Sequence, residues 1–367
     1  MITITHSYFF FISLFCISSF LFQKCTYVEN NYALTKKINA YNTLGILLLA
    51  VVASLYIGQL NSDYYFYEYV FFKNEKLGYT EVLKNSGDNV LFYFIGKVLY
   101  HFGGKYLAFL FFDILIVLSG FCYLKSKNKD YSMFIGSLVF CTNVYYSGAY
   151  NIIKQGISIA IILIAVKYVC ENKLAKFIIT VVIASLFHGT AIIAIVMWFF
   201  WDHQHNKPIS LYKSIVLISI VAIAIFGYNS VLNYLSFRFN LFVEYTRYSS
   251  QIEVSNRDFY VNILVLAVVL IFSRQLIKLD NRNQMIICFF IISIFTNYLG
   301  FFNPFVKRIG TYFFAPAKIA LFGYLPYIVT GKSRSLAKII VVICIFIVFY
   351  LSHGNNAIQF GITQRSF

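Results

Sequence analysis

The chain has 367 residues, 60% of them hydrophobic and only 12% charged, and 30 Lys and Arg against 14 Asp and Glu leave a formal net charge of +16. A soluble domain is about 45–50% apolar and roughly 25% charged, so this composition excludes a soluble enzyme, a disordered regulator and a secreted disulfide scaffold. The charge does not require nucleic acid as a partner, because no basic patch on a soluble face is visible and an excess of Lys and Arg is what membrane proteins keep in cytoplasmic loops.

A membrane span needs about 20 mostly apolar residues. On that measure the chain predicts an all-α polytopic integral membrane protein of about 10–12 transmembrane helices, a single transmembrane domain over 1–367. The first apolar stretch is 7–22; no basic residue precedes it and no small-x-small cleavage site follows, so it reads as a span rather than a signal peptide. Further spans are predicted near 42–60, 106–124, 131–150, 153–170, 211–229, 259–278, 284–302, 308–329 and 336–352. Residues 90–102 are short and contain Lys97 and His101, which suits an interfacial or re-entrant helix. The apolar run 174–201 is interrupted at His188-Gly189-Thr190. One straight helix there would be about 42 Å long against a core of roughly 30 Å. A hairpin of two short helices with His188 at its tip is therefore predicted; a single span would invert everything after it.

With 24–41 placed in the cytoplasm, inside segments hold 17 Lys and Arg and outside segments 12, which supports that orientation. Two longer connections, 61–88 and 230–258, then fall outside as the first and second outer loops. Connections beyond about 12–15 residues are usually functional or unstructured. Seven Cys are scattered, mostly through apolar runs, without metal spacing or a disulfide pattern. No Gly-rich phosphate loop, no G-x-S-x-G and no H-E-x-x-H occurs, so no cofactor and no metal is predicted.

Unusual polar residues collect at the outer ends of the spans: Asp63, Lys154-Gln155, His188, the loop arginines Arg238, Arg247 and Arg257, and Lys307-Arg308. Ionisable groups near the membrane are costly and often mark function. Outer cations suit an anionic head group such as a pyrophosphate, with Arg offering a planar fork to phosphate oxygens. The plain alternatives stand beside this. Lys154 and Lys307-Arg308 fit interfacial anchors, His188 a lone helix-to-helix hydrogen bond, and the Tyr-rich 61–70 stretch an aromatic belt as readily as a stacking face for sugars. Asp113 and Lys318 lie inside spans with no neighbour in sequence to neutralise them, which predicts that they pair with each other.

The run from Asn151 to Ala160 around Lys154-Gln155, then Val166-Lys167-Tyr168, then Ala184-Ser185-Leu186-Phe187-His188-Gly189-Thr190-Ala191 resembles the core of the EpsG family, grouped with Wzy-type O-antigen and capsule polymerases. Gln155 and His188 match the family pattern; Lys154 stands where the family has Arg, keeping the charge and losing the bidentate fork. Asp63 with Tyr67, and Arg308 with Tyr312, resemble its Asp-x-x-x-Tyr and Arg-x-x-x-Tyr. The resemblance implies a glycosyltransferase of the bacterial cytoplasmic membrane. It would join undecaprenyl-pyrophosphate-linked oligosaccharide repeats at the outer face, without a sugar nucleotide, and with a chain-length regulator protein as a further partner. It implies His188 or Asp63 as the base. Lys154, Arg308 and Arg247 become pyrophosphate or glycan contacts, and Gln155, Tyr67 and Tyr312 substrate contacts. A flippase for the same lipid and a membrane glycan acyltransferase are the alternative readings.

Overall fold

The structure is a computed structural model and describes residues 4–24, 32–55, 66–74, 76, 78–150, 152–221, 223, 227, 256–301 and 304–353. Its described part is almost wholly helical, as a chain in lipid must be, because every backbone N–H and C=O there needs an internal partner. Large apolar side chains face outward, among them Leu264, Ile271 and Leu211, each about 70% exposed. An apolar exterior of this extent belongs against lipid.

Helices α1 (Ile4–Gln23) and α2 (Tyr32–Leu55) open the chain. The expected first outer loop is partly folded: Phe66–Phe72 forms a π-helical turn and Tyr79–Asn85 a short helix, α3. Helix α4 (Val90–Leu124) breaks at Gly103-Gly104, where Gly104 takes φ +65°, a conformation that favours glycine. The break separates the predicted short helix 90–102 from the predicted span 106–124. Then come α5 (Met133–Phe140), a π-helical turn Cys141–Tyr145, α6 (Tyr146–Tyr150) and α7 (Ile153–Cys170).

Residues 174–201 form the predicted hairpin. Helix α8 (Leu174–Phe187) stops at His188, whose φ −155° and ψ 109° are extended, and a 3-10 helix Gly189–Phe200 returns. The rings of Phe177 and Trp198 lie 5.3 Å apart, and Asn172 donates to the His203 carbonyl at 3.2 Å. A straight helix would put Asn172 and His203 about 46 Å apart. A two-residue antiparallel ladder, Trp201–Asp202 with Lys207–Pro208, closes the hairpin's open end.

Next come α9 (Leu211–Val221), α10 (Asn256–Ile271) and α11 (Ser273–Leu279). The expected span 259–278 is not straight: α10 and α11 meet at 68°. The bundle finishes with α12 (Asn283–Leu299), α13 (Pro304–Tyr324, with Pro316 inside) and α14 (Ser333–His353). Among the described residues, three helices are long and apolar enough to cross a membrane alone, and the bent pair makes a fourth. Shorter apolar helices occupy other expected spans, including α1, α2, α8 and α12.

Two ties hold α13 in register at the end remote from Arg308: the Tyr123 hydroxyl donates to the Pro316 carbonyl and the Tyr131 hydroxyl to the Ile319 carbonyl, both at 2.9 Å. A charged cluster stands at the same end. Arg282 clasps Asp280 at 2.6–2.9 Å and donates to the Ser126 carbonyl, while the Tyr324 hydroxyl donates to Asp280 at 2.6 Å. Burial pushes the Asp280 carboxyl up, but Arg282 and Tyr324 outweigh it and hold it below the usual carboxylate range.

The predicted Asp113–Lys318 pair does not form. Lys318 donates to Asn143 at 2.9 Å and lies over the Phe314 ring at 4.6 Å. Asp113 is buried, and its Oδ2 has no hydrogen-bond partner among the described residues. Depth in the membrane made both charges conspicuous, but the helix packing turns each toward its own neighbours.

Candidate functional site

The opening of α7, the tip of the 174–201 hairpin and the opening of α13 meet at one end of the bundle. Two glycines allow the first approach. Gly148 on α6 and Gly156 on α7 face each other, and a Cβ on Gly148 would stand 2.9 Å from the Gly156 Cα, well inside contact distance. Small residues at such crossings let helix backbones close up. Below the tip, Ser158 of α7 donates to the Ala184 carbonyl at 2.8 Å, and the same oxygen accepts the His188 backbone N–H at 3.0 Å. The hairpin tip is thereby seated on α7.

Gln155 joins α7 to α13. It is 3% exposed, and its Nε2 donates to the Arg308 carbonyl at 2.9 Å and to Thr311 Oγ1 at 3.0 Å. Thr311 also donates to the Arg308 carbonyl at 2.6 Å. The amide hydrogens of Gln155, the expected sugar contact, fix the turn that presents Arg308. The Arg308 side chain is exposed.

Lys154, one residue earlier, points elsewhere. Its Nζ donates to the Tyr93 hydroxyl at 3.0 Å and lies 5.0 Å from the Tyr93 ring centroid and 5.1 Å from that of Tyr67. Two ring faces thus steady one cation, each such contact adding about 0.5–2 kcal/mol. Tyr67 is 5% exposed and packs on Phe92 and Tyr93, so its ring supports Lys154 and offers no open face for stacking a sugar. Tyr312 is likewise fully buried, with its hydroxyl 3.1 Å from Thr190 Oγ1. It ties α13 to the 3-10 helix.

His188 sits among these groups, 8% exposed. Its Nδ1 lies 3.3 Å from Asn89 Oδ1, and Asn89 Nδ2 donates to Asp88 Oδ1 at 3.0 Å. The Asp88 carboxylate only accepts, which fixes the Asn89 amide with its oxygen toward the histidine. Nδ1 must then carry the hydrogen. Nε2 remains buried with no hydrogen-bond partner among the described residues. A ring nitrogen held this way, with the opposite nitrogen oriented by a third group, has the geometry of a general base.

Asp88, Asn89 and Tyr93 were not singled out from the sequence. Asn89 precedes α4 and reads as an ordinary helix cap. Its side chain makes no cap bond here and is used on His188, 99 residues away. Asp88 comes close enough to the hairpin that a Cβ at position 189 would strike its carboxylate, so Gly189 makes room for it. Two expected site residues, Asp63 and Arg247, lie outside the described residues, as does most of the predicted second outer loop, 230–258.

Comparison with known families finds that a model of the EpsG family matches residues 39–363. The match spans every element of this site. No curated protein and no solved structure shows significant similarity to the chain.

Proposed function

The chain belongs to the EpsG family of Wzy-like polysaccharide polymerases and glycosyltransferase-like membrane proteins, and we propose that it is a surface-polysaccharide (O-antigen) polymerase of the bacterial cytoplasmic membrane. In this reading it joins repeat units carried on undecaprenyl pyrophosphate at the outer face, with the His188 end of the bundle assigned to that face by the excess of Lys and Arg in the opposite loops. The observation that carries the proposal is a buried His188, its ring oriented by Asn89 and its Nε2 without a partner among the described residues, at the end of the bundle where Lys154 and Arg308 also stand.

The chemistry fits those parts. A hydroxyl of the acceptor repeat attacks the anomeric carbon of the donor glycan. His188 Nε2 takes the hydroxyl proton as the glycosidic bond forms. The bond from the anomeric carbon to the pyrophosphate oxygen breaks, and the carrier leaves with the electron pair. Lys154 and Arg308 stabilise the charge that grows on the pyrophosphate. Asn89 and Asp88 keep the imidazole in the tautomer that accepts. Gln155 and Tyr312 hold the helices that present these groups, and Tyr67 with Tyr93 steadies Lys154. Asp63 and Arg247 retain their proposed roles as rival base and glycan contact, and a chain-length regulator remains a proposed partner.

The test is a gel of surface polysaccharide from cells lacking the gene, with and without its restoration. A polymer ladder that collapses to a single repeat and returns on restoration is the expected result. Loss of even the single repeat would point to a flippase instead, and a full-length polymer of lower acyl content to an acyltransferase.

A further inference from the structure

The face of α7 opposite Lys154 borders a second polar site. Gly156 and Ile159, one turn apart on that face, line a cavity of about 220 Å³ closed by α10, α12 and α13. A single buried water needs only about 10–15 Å³ on the same measure, so the space takes a group of molecular size. Three polar side chains that line it are more than nine-tenths buried: Asn262 at 5% exposed, Asn297 at 9% and Lys318 at 5%. The Oδ1 atoms of Asn262 and Asn297 have no hydrogen-bond partner among the described residues. A buried acceptor left unpaired carries its full desolvation penalty, so two around one cavity indicate a donor that comes from outside. The Lys318 ammonium donates to Asn143 at 2.9 Å, and Lys307 also lines the space.

We propose that this cavity receives one sugar ring of the lipid-linked glycan, a seat separate from the His188 site; the assignment rests on the polymerase reading. The donor and acceptor pattern selects the class. A sugar hydroxyl donates, so a ring carrying several of them satisfies both asparagine oxygens. The doubly esterified pyrophosphate of the carrier, ionised at neutral pH, has no proton to give to Asn262 or Asn297. A metal cation would suit their oxygens but meets Lys307 and Lys318. An acyl chain would leave both acceptors unpaired. Phe314, Ile159 and Val261 supply apolar surface for the C–H face of a ring. Thr311 lines the cavity and also accepts from Gln155, so the two sites are joined through one side chain. A reaction between two glycans requires two such seats held in register.

The experiment uses the full-length protein in lipid nanodiscs. Saturation-transfer NMR is run with glucose, galactose and N-acetylglucosamine as probes and inorganic pyrophosphate as competitor. At least one sugar should take up saturation and resist pyrophosphate. The double variant Asn262→Leu/Asn297→Leu should weaken that signal at least about tenfold, through two lost hydrogen bonds. Its melting temperature should stay level or rise, because leucine removes two buried amide oxygens that have no partner among the described residues. Ala315→Phe, which adds a ring at another lining position and keeps both asparagines, should also remove the signal. Absence of transfer from every sugar, an unchanged signal in both variants, or displacement by pyrophosphate would overturn the assignment, and a cavity holding only water gives the first of these. Failure of the polymerase reading shows separately, as surface polymer unchanged in cells lacking the gene.

Discussion

Replacing Gly156 by alanine tests the site geometry through its most confined contact. The new Cβ would press on the Gly148 backbone, which has no side chain to swing away. Carbon atoms pack at about 3.5–4.0 Å, so α6 and α7 must separate by roughly 1.5 Å. Overpacking of this kind costs about 1–3 kcal/mol, which a bundle tolerates. The site is more sensitive, because Lys154 and Gln155 occupy the displaced first turn and their contacts are already 2.9–3.0 Å long. A misplacement of about 1 Å lowers rates by roughly 100-fold. The assay compares polymer formation in cells lacking the gene and carrying either form at equal membrane level. Gly156→Ala should leave a folded protein that converts lipid-linked repeats about 100-fold more slowly. Wild-type polymer length and rate would refute the reasoning. Gly148→Ala, whose Cβ meets Gly156 at 2.9 Å and Ile116 at 3.4 Å, should show the same defect more mildly.

His188→Ala should lower polymerisation by about 10²–10⁴-fold at unchanged protein level, read as polymer formed per hour in isolated membranes. Asn89→Leu removes one hydrogen bond to that ring and should cost about 0.5–1.5 kcal/mol, or roughly 2–10-fold, by the same assay. Combined with His188→Ala it should add nothing, since both act through one imidazole. Lys154→Arg should retain most activity, because guanidinium also stacks between aromatic rings, whereas Lys154→Met should lose it. Asp280→Asn should destabilise the bundle by about 3 kcal/mol at neutral pH by leaving Arg282 without its buried partner. The folded carboxyl titrates below its ordinary value of 3.8, so its stabilisation is complete above that value and is lost as pH falls through the folded one. Thermal melts of the two proteins should therefore converge only below about pH 4.

Features governed by local chain chemistry were legible in sequence. The excess length of 174–201 with His188-Gly189 inside it implied a hairpin, and the structure turns there. The change of character between 90–102 and 106–124 corresponds to the Gly103-Gly104 break. What depends on packing was not legible. The Asn89 side chain meets His188 across 99 residues, and nothing near Asp88-Asn89 signals it. Gln155, Tyr67 and Tyr312 were read from the sequence as substrate contacts; only packing reveals that all three are buried against neighbouring elements. The Asp113–Lys318 pair failed because depth says that a charge needs company without saying whose. The 68° bend between α10 and α11 has no Pro or Gly at Phe272 to announce it.

The most direct test of the central claim is a reconstitution. Purified protein in liposomes is given the lipid-linked repeat pool extracted from cells lacking the gene, with no sugar nucleotide added. The account predicts polymer growth with one polyprenyl pyrophosphate released for each repeat joined, and neither in His188→Ala. Carrier release without growth, growth that requires a sugar nucleotide, or full growth by His188→Ala would contradict it.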